Sequence, residues 1–215
     1  MSLGALFQTN EVIPGLYLGS HFSAKNRRIL SEYGITHILQ VTHFEKAQYP
    51  EDYQYKVITL IDNASSNLMV HFSETHQFID AGIASGGKVL VHCMAGVSRS
   101  ATLVIAYLMW KRQLTVAESW DIVAKARSII RPNIGFIYQL QLYEKLGYQV
   151  DESSEQYRDL MTRLQTMRDT NVQERRRAEQ QVGKVAGESM VTGDAAEAEK
   201  DEQETDDDIV FMYGA

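Results

Sequence analysis

The sequence predicts an α/β fold in which a central mixed β-sheet is flanked by helices, followed by a C-terminal helix and a disordered acidic tail. Three observations carry that prediction. Short β-branched runs alternate with runs of helical periodicity between residues 11 and 148. One helical run, ATLVIAYLMW from Ala101 to Trp110, is apolar all round, as expected of a helix at a domain centre. Just before it, an apolar strand enters a tight loop at the chain's single cysteine, Cys93.

Taken in order, EVIPGLYLGS (Glu11 to Ser20) has apolar residues interrupted by a Pro14–Gly15 turn signal, which predicts a hairpin of edge strands. A helix is expected over Ser23 to Tyr33, with Ala24, Ile29 and Leu30 inward and Gly34 in the C′ position. ITHILQVT, from Ile35 to Thr42, is β-branched and strand-like, and YQYKVITLI, from Tyr53 to Ile61, reads as the next strand. Leu68, Met69, Phe72, Phe78, Ile79 and Ile83 recur at near-helical spacing up to Ala84, before the Gly86–Gly87 pair. Lys88 to Val91 is the strand that leads into HCMAGVSRS. Two helices follow the apolar one: Thr115 to Arg127 with Thr115 as N-cap, and Gly135 to Leu146 before Gly147. The expected organisation is an N-terminal segment (1–10), one domain (11–148), a helical extension (149–182) and a disordered acidic tail (183–215). In the extension, Tyr157, Leu160, Met161, Leu164 and Met167 share one helix side, which favours packing on the domain over a partner-binding or coiled-coil surface.

With 44% hydrophobic and 23% charged residues in 215, wholesale disorder is excluded. Ala101 to Trp110 is too short to span a bilayer, and MSLGALFQTN has neither a basic n-region nor a glycine at position 2, so an intracellular protein, cytoplasmic or nuclear, with no membrane partner is expected. A lone cysteine excludes an intramolecular disulfide framework and a Cys-rich zinc site. The net charge of -7 is concentrated at one end, because residues 183–215 carry ten acidic groups against Lys184 and Lys200. Residues 1–182 therefore hold 19 basic and 18 acidic groups, which argues against a broad phosphate-neutralising face for nucleic acid.

The chemistry is concentrated in His92, Cys93, Met94, Ala95, Gly96, Val97, Ser98, Arg99 and Ser100. Backbone N–H groups from Met94 to Arg99 can curl around a tetrahedral dianion at a helix N-terminus, and Gly96 permits a conformation that a side chain would block. Arg99 offers a planar fork for two phosphate oxygens. That field favours the thiolate and makes Cys93 a nucleophile beneath a bound phosphorus, with His92 orienting the loop and Ser100 donating to the departing sulfur. A leaving alcohol needs a proton. Asp62, at the C-terminal end of its strand and on the edge where the loop opens, is the best-placed carboxyl; Asp52, before that strand, and Asp80, within a helix, are its rivals. Given one cysteine, His, Gly, Arg and Ser at these offsets arise by composition about once in 10^5, so a merely structural cysteine is disfavoured.

This sequence resembles the dual-specificity protein phosphatases of the cysteine-dependent superfamily over about residues 11 to 148: the opening IPGLYLGS, the strand GITHILQVT, DNASSNL, the loop HCMAGVSRSA and RPNIGFIYQLQLYE. The resemblance implies metal-independent hydrolysis of phosphotyrosine and phosphoserine or phosphothreonine on protein substrates, with no cofactor. It also implies Cys93 as nucleophile, Arg99 as phosphate clamp, Asp62 as general acid, Ser100 as assistant in thiophosphate hydrolysis and Asn133 as a loop brace. Through GGKVLVH, AGVSRSA, VIAYLM and NIGFIYQLQLYE it is most similar to the phosphoserine/threonine/tyrosine-interacting pseudophosphatases, which carry glycine where Cys93 stands here. Gln40 also departs, since the family often has asparagine there.

Met94 and Val97 occupy places where inositol-lipid phosphatases of the superfamily carry lysines, which disfavours a lipid substrate. KNRR at 25–28 and RRR at 175–177 read as solvated helix faces. A phosphoprotein-binding scaffold with little turnover is the competing function. The terminus DDDIVFMYGA places Ile209, Val210 and Phe211 behind three aspartates, either incidental or a short motif that adds as a strand to a partner's sheet edge, a layout that resembles SUMO-interaction motifs.

Overall fold

The computed structural model describes residues 4, 7–43 and 45–189; the tail motif Ile209, Val210 and Phe211 lies outside them. Five strands form one sheet in the order β1-β2-β5-β3-β4, comprising β1 (Asn10–Ile13), β2 (Leu16–Ser20), β3 (His37–Thr42), β4 (Gln54–Thr59) and β5 (Val89–Cys93). β1 runs antiparallel to β2, and the pairs β2/β5, β5/β3 and β3/β4 are parallel, so the sheet is mixed as expected. The hairpin is not made of two edge strands. Of its two strands only β1 lies at an edge of the sheet, and β2 is buried along its whole length because β5 pairs with its other side.

Helices cover both faces: α1 (His21–Ala24), α2 (Arg27–Glu32), α3 (Phe72–Ala84, after a 3-10 turn at Met69–His71), α4 (Arg99–Arg112), α5 (Val116–Ala126), α6 (Ile134–Lys145) and α7 (Glu155–Ser189). The single helix expected over Ser23 to Tyr33 is two. Asn26 takes extended backbone and its side chain accepts from Arg28 and Ile29 N–H, starting a new helix and ending the old one. Gly34 does close it, at φ 66°. Thr115 and Glu118 form a reciprocal capping box on α5, and Asn133 caps α6 through Phe136 N–H.

Strand alternation assigns the two sides of β5. Val89, Val91 and Cys93 join the large core with α3 to α6, whereas Leu90 joins a smaller cluster with Leu30 of α2 and Ile38. Cys93 therefore faces the main helical layer, and His92 the other. In α4, every residue from Arg99 to Met109 is buried. Burial of its Leu103, Val104, Ile105, Leu108 and Met109 contributes on the order of 10 kcal/mol before ordering entropy is subtracted. A compact unit runs from Met1 to Val172, and Tyr157, Leu160 and Leu164 of α7 are buried in its large core, so that side of the extension packs on the domain. No described helix is long and apolar enough to cross a membrane.

Candidate active site

Cys93 ends β5 and is 3% exposed; Arg99 opens α4. Between them, five successive carbonyls are bound from outside the loop. Met94 O accepts from His21 N–H (3.1 Å), Ala95 O from Arg127 Nη2 (3.0 Å), Gly96 O from Arg127 Nε (2.9 Å), Val97 O from Arg131 N–H (2.8 Å), and Ser98 O from Thr102 N–H (2.9 Å). A trans peptide points its C=O and N–H in opposite directions. The outward carbonyls therefore turn the N–H groups of Ala95 to Arg99 toward the concave side, and with the N-terminus of α4 they form an anion nest. Gly96 has φ 69°, and a Cβ there would overlap the Gly19 carbonyl, so the loop requires glycine.

Ser100 Oγ donates to Cys93 Sγ at 3.2 Å. Arg99 is buried, donates through Nη1 to Leu60 O (3.1 Å) and places Nε 3.5 Å from Asp62 Oδ2. Asp62 lies just beyond β4, and its Oδ1 accepts from Ser98 Oγ and from Asn133 Nδ2, both at 2.8 Å. Asn133 N–H in turn donates to Ser98 Oγ (3.2 Å). Thus Asp62, the Ser98–Arg99 pair and Asn133, from three segments far apart in sequence, form one polar network over the loop that starts at Cys93. Asp52 instead pairs with Arg27 at 2.7 Å, and Asp80 accepts from Tyr107 OH (3.2 Å) and pairs with Lys111, so both rivals are engaged elsewhere.

His92 reaches the loop through its backbone: its Nδ1 lies 3.3 Å from the Cys93 carbonyl, on the sheet face away from Sγ. Burial pushes its pKa down to about 4, so the ring is neutral at pH 7. Gln40, paired with His92 in the β3/β5 register, donates through Nε2 to Glu45 O (3.0 Å) and holds the loop after β3.

Two contributors escaped sequence reasoning. Arg127 is 2% exposed and, besides the loop carbonyls, binds Gln8 O (3.0 Å) and Asn10 Oδ1 (2.8 Å), tying the chain's start to the loop. Burial lowers its pKa, against the charge of Cys93. Nothing in KARSIIRPN distinguishes it from Lys125 or Arg131. Gly135 is the other: a Cβ would overlap the Ala64 carbonyl, so glycine alone lets the start of α6 lie against the segment after Asp62.

The family model described as dual specificity phosphatase, catalytic domain, matches residues 16–146. Among curated proteins, the chain is 46% identical to dual specificity protein phosphatase 1 of Arabidopsis thaliana over 61% of this chain and 66% of that protein. It is 44% identical to dual specificity protein phosphatase 1B of the same plant over 63% of this chain and 81% of that protein. Among solved structures, the human tyrosine phosphatase-like serine/threonine/tyrosine-interacting protein is similar with a TM-score of 0.62 and 39% identity, covering 64% of this chain and 96% of that one.

Proposed function

The chain belongs to the dual specificity phosphatase family by its catalytic domain, and on that premise we propose that it hydrolyses phosphotyrosine and phosphoserine or phosphothreonine in proteins through a cysteinyl-phosphate. The observation that carries this is the Ser100 hydroxyl on Cys93 Sγ beneath a loop whose carbonyls are all held outward. Phosphate oxygens take the N–H groups of Ala95 to Arg99 and the Arg99 guanidinium. Cys93 Sγ attacks phosphorus, the P–O bond to the side chain breaks, and Asp62 gives its proton to the leaving oxygen. Water then attacks, Asp62 takes its proton, the S–P bond breaks, and Ser100 donates to the returning thiolate. Asn133 and Ser98 hold the carboxyl, and His92 holds the Cys93 carbonyl.

A binding-only scaffold has no use for the Ser100 hydroxyl on a sulfur, which favours turnover. Aryl phosphate turnover tests the reading. We expect it to be unaffected by a chelator, abolished in Cys93→Ser with phosphate binding kept, and lost in Arg99→Ala together with phosphate binding. A need for a divalent ion, or appreciable activity in Cys93→Ser, contradicts it. For the tail, three aspartates followed by Ile209, Val210 and Phe211 support a partner-binding motif. Deletion of residues 206–215 should then leave aryl phosphate turnover intact and abolish capture of that partner.

A further inference from the structure

Nine large apolar side chains stand exposed among the described residues, and five of them belong to segments that frame the mouth above Cys93. Ile61, 60% exposed, precedes Asp62, and Ile134, 50% exposed, follows Asn133; the hydrogen bond between Asn133 and Asp62 brings these two segments together. On the other side, Met94 follows Cys93, and its carbonyl is bound by the N–H of His21, next to Phe22. Phe22 stands against Phe7 with ring centroids 4.9 Å apart.

Exposed apolar groups normally scatter singly over a surface, and a cluster at a functional mouth marks a contact surface. The phosphate nest at its centre identifies the occupant. A phosphorylated side chain seated in the nest places its neighbouring residues on this rim. The nearby carboxylates are already engaged, Asp62 by Asn133 and Ser98, and Glu45 by His21 at 2.7 Å. The rim thus offers little to a basic sequence, and Arg131, exposed beside Val97, is the group that would attract an acidic one.

We propose that the substrates are protein segments whose phosphorylated residue is flanked on both sides by apolar residues, which pack on Ile61 and Ile134 at one side and on Phe22 and Phe7 at the other. The inference rests on the phosphatase reading above, and binding separates the two. Three phosphotyrosine heptapeptides, flanked by leucine, glutamate or lysine, are titrated into the full-length Cys93→Ser protein, and their kcat/KM is measured with the unaltered protein beside an aryl phosphate. The leucine peptide should bind about tenfold more tightly than either charged one, equivalent to about 1.4 kcal/mol. Ile134→Ser and Phe22→Ser should each erode that preference several-fold while aryl phosphate turnover stays unchanged. Equal affinities for all three, or a glutamate peptide that binds best and loses its advantage in Arg131→Ala, overturn the rim proposal and leave the phosphatase reading standing. The expected affinity ranking without turnover of any peptide or aryl phosphate overturns the phosphatase reading and upholds the rim.

Discussion

At the residue scale, the site divides into what local sequence reveals and what only folding assembles. His92 to Ser100 could be read directly because a strand, a glycine and a helix start fix their geometry within one segment. Asp62 was legible only as the best of three carboxyls, and its selection depends on Ser98 and Asn133, 36 and 71 residues away. A carboxyl that must protonate a leaving group should matter most where that group is poor. Asp62→Ala is expected to slow a phosphoserine peptide far more than an activated aryl phosphate, and equal losses in both assays would assign the proton to another group. Asn133→Ala removes one donor to Asp62 and the cap of α6. It should lower stability by about 1 kcal/mol in urea unfolding and shift the substrates in the same order as Asp62→Ala, more weakly. Arg127 was illegible because nothing local shows which arginine will be buried. Replacing it with methionine leaves the Ala95 and Gly96 carbonyls without their donor, so the nest loses its outward restraint. Inorganic phosphate should then inhibit at about tenfold or more higher concentration, and an unchanged inhibition constant would make Arg127 a tie for the N-terminal segment alone.

At the element scale, period and punctuation carried most of the fold. β3, β4, β5 and α4 to α6 fall where β-branched runs, apolar periodicity and caps predict them, since each signal acts within one or two turns of chain. Two errors have different causes. Whether β2 is an edge depends on its pairing with β5, some seventy residues away, and hydropathy does not report pairing. The split of α1 from α2 is local: Asn26, within the polar run from Lys25 to Arg28 that separates Ala24 from Ile29, caps a new helix. The capping box of α5 offers a clean measurement: Thr115→Ala removes the acceptor for Glu118 N–H and should lower stability by about 1 kcal/mol, with turnover unchanged because the box lies outside the polar network around Asp62. A loss of activity at equal folded fraction would show that α5, which carries Arg127 as its C-cap, transmits the change to the loop.

At the scale of the whole molecule, the fold encloses two histidines that stay neutral in the native protein. His76 is stacked between Phe72 and Trp110, and burial pushes its pKa down to about 3; His92 beneath the loop is pushed by the same cause down to about 4. In the unfolded chain both titrate near the ordinary value of 6.5. Below that pH the unfolded state binds protons that the folded state refuses, so unfolding gains a favourable term as pH falls. Stability from these groups is fully present above about pH 6.5 and declines by up to about 1.4 kcal/mol per pH unit for each ring, as far as about pH 4 for His92 and about pH 3 for His76. Urea unfolding at fixed ionic strength between pH 7.5 and 4.5 should show this decline beginning near 6.5. His76→Gln, which cannot charge, should be less stable at pH 7.5 through lost packing yet show a shallower slope. If the unaltered protein holds constant stability down to pH 5, or His76→Gln keeps the full slope, the buried His76 does not govern the acid limb. If stability is constant down to pH 5, a loss of turnover above that pH arises in the Cys93 loop itself and not in global unfolding.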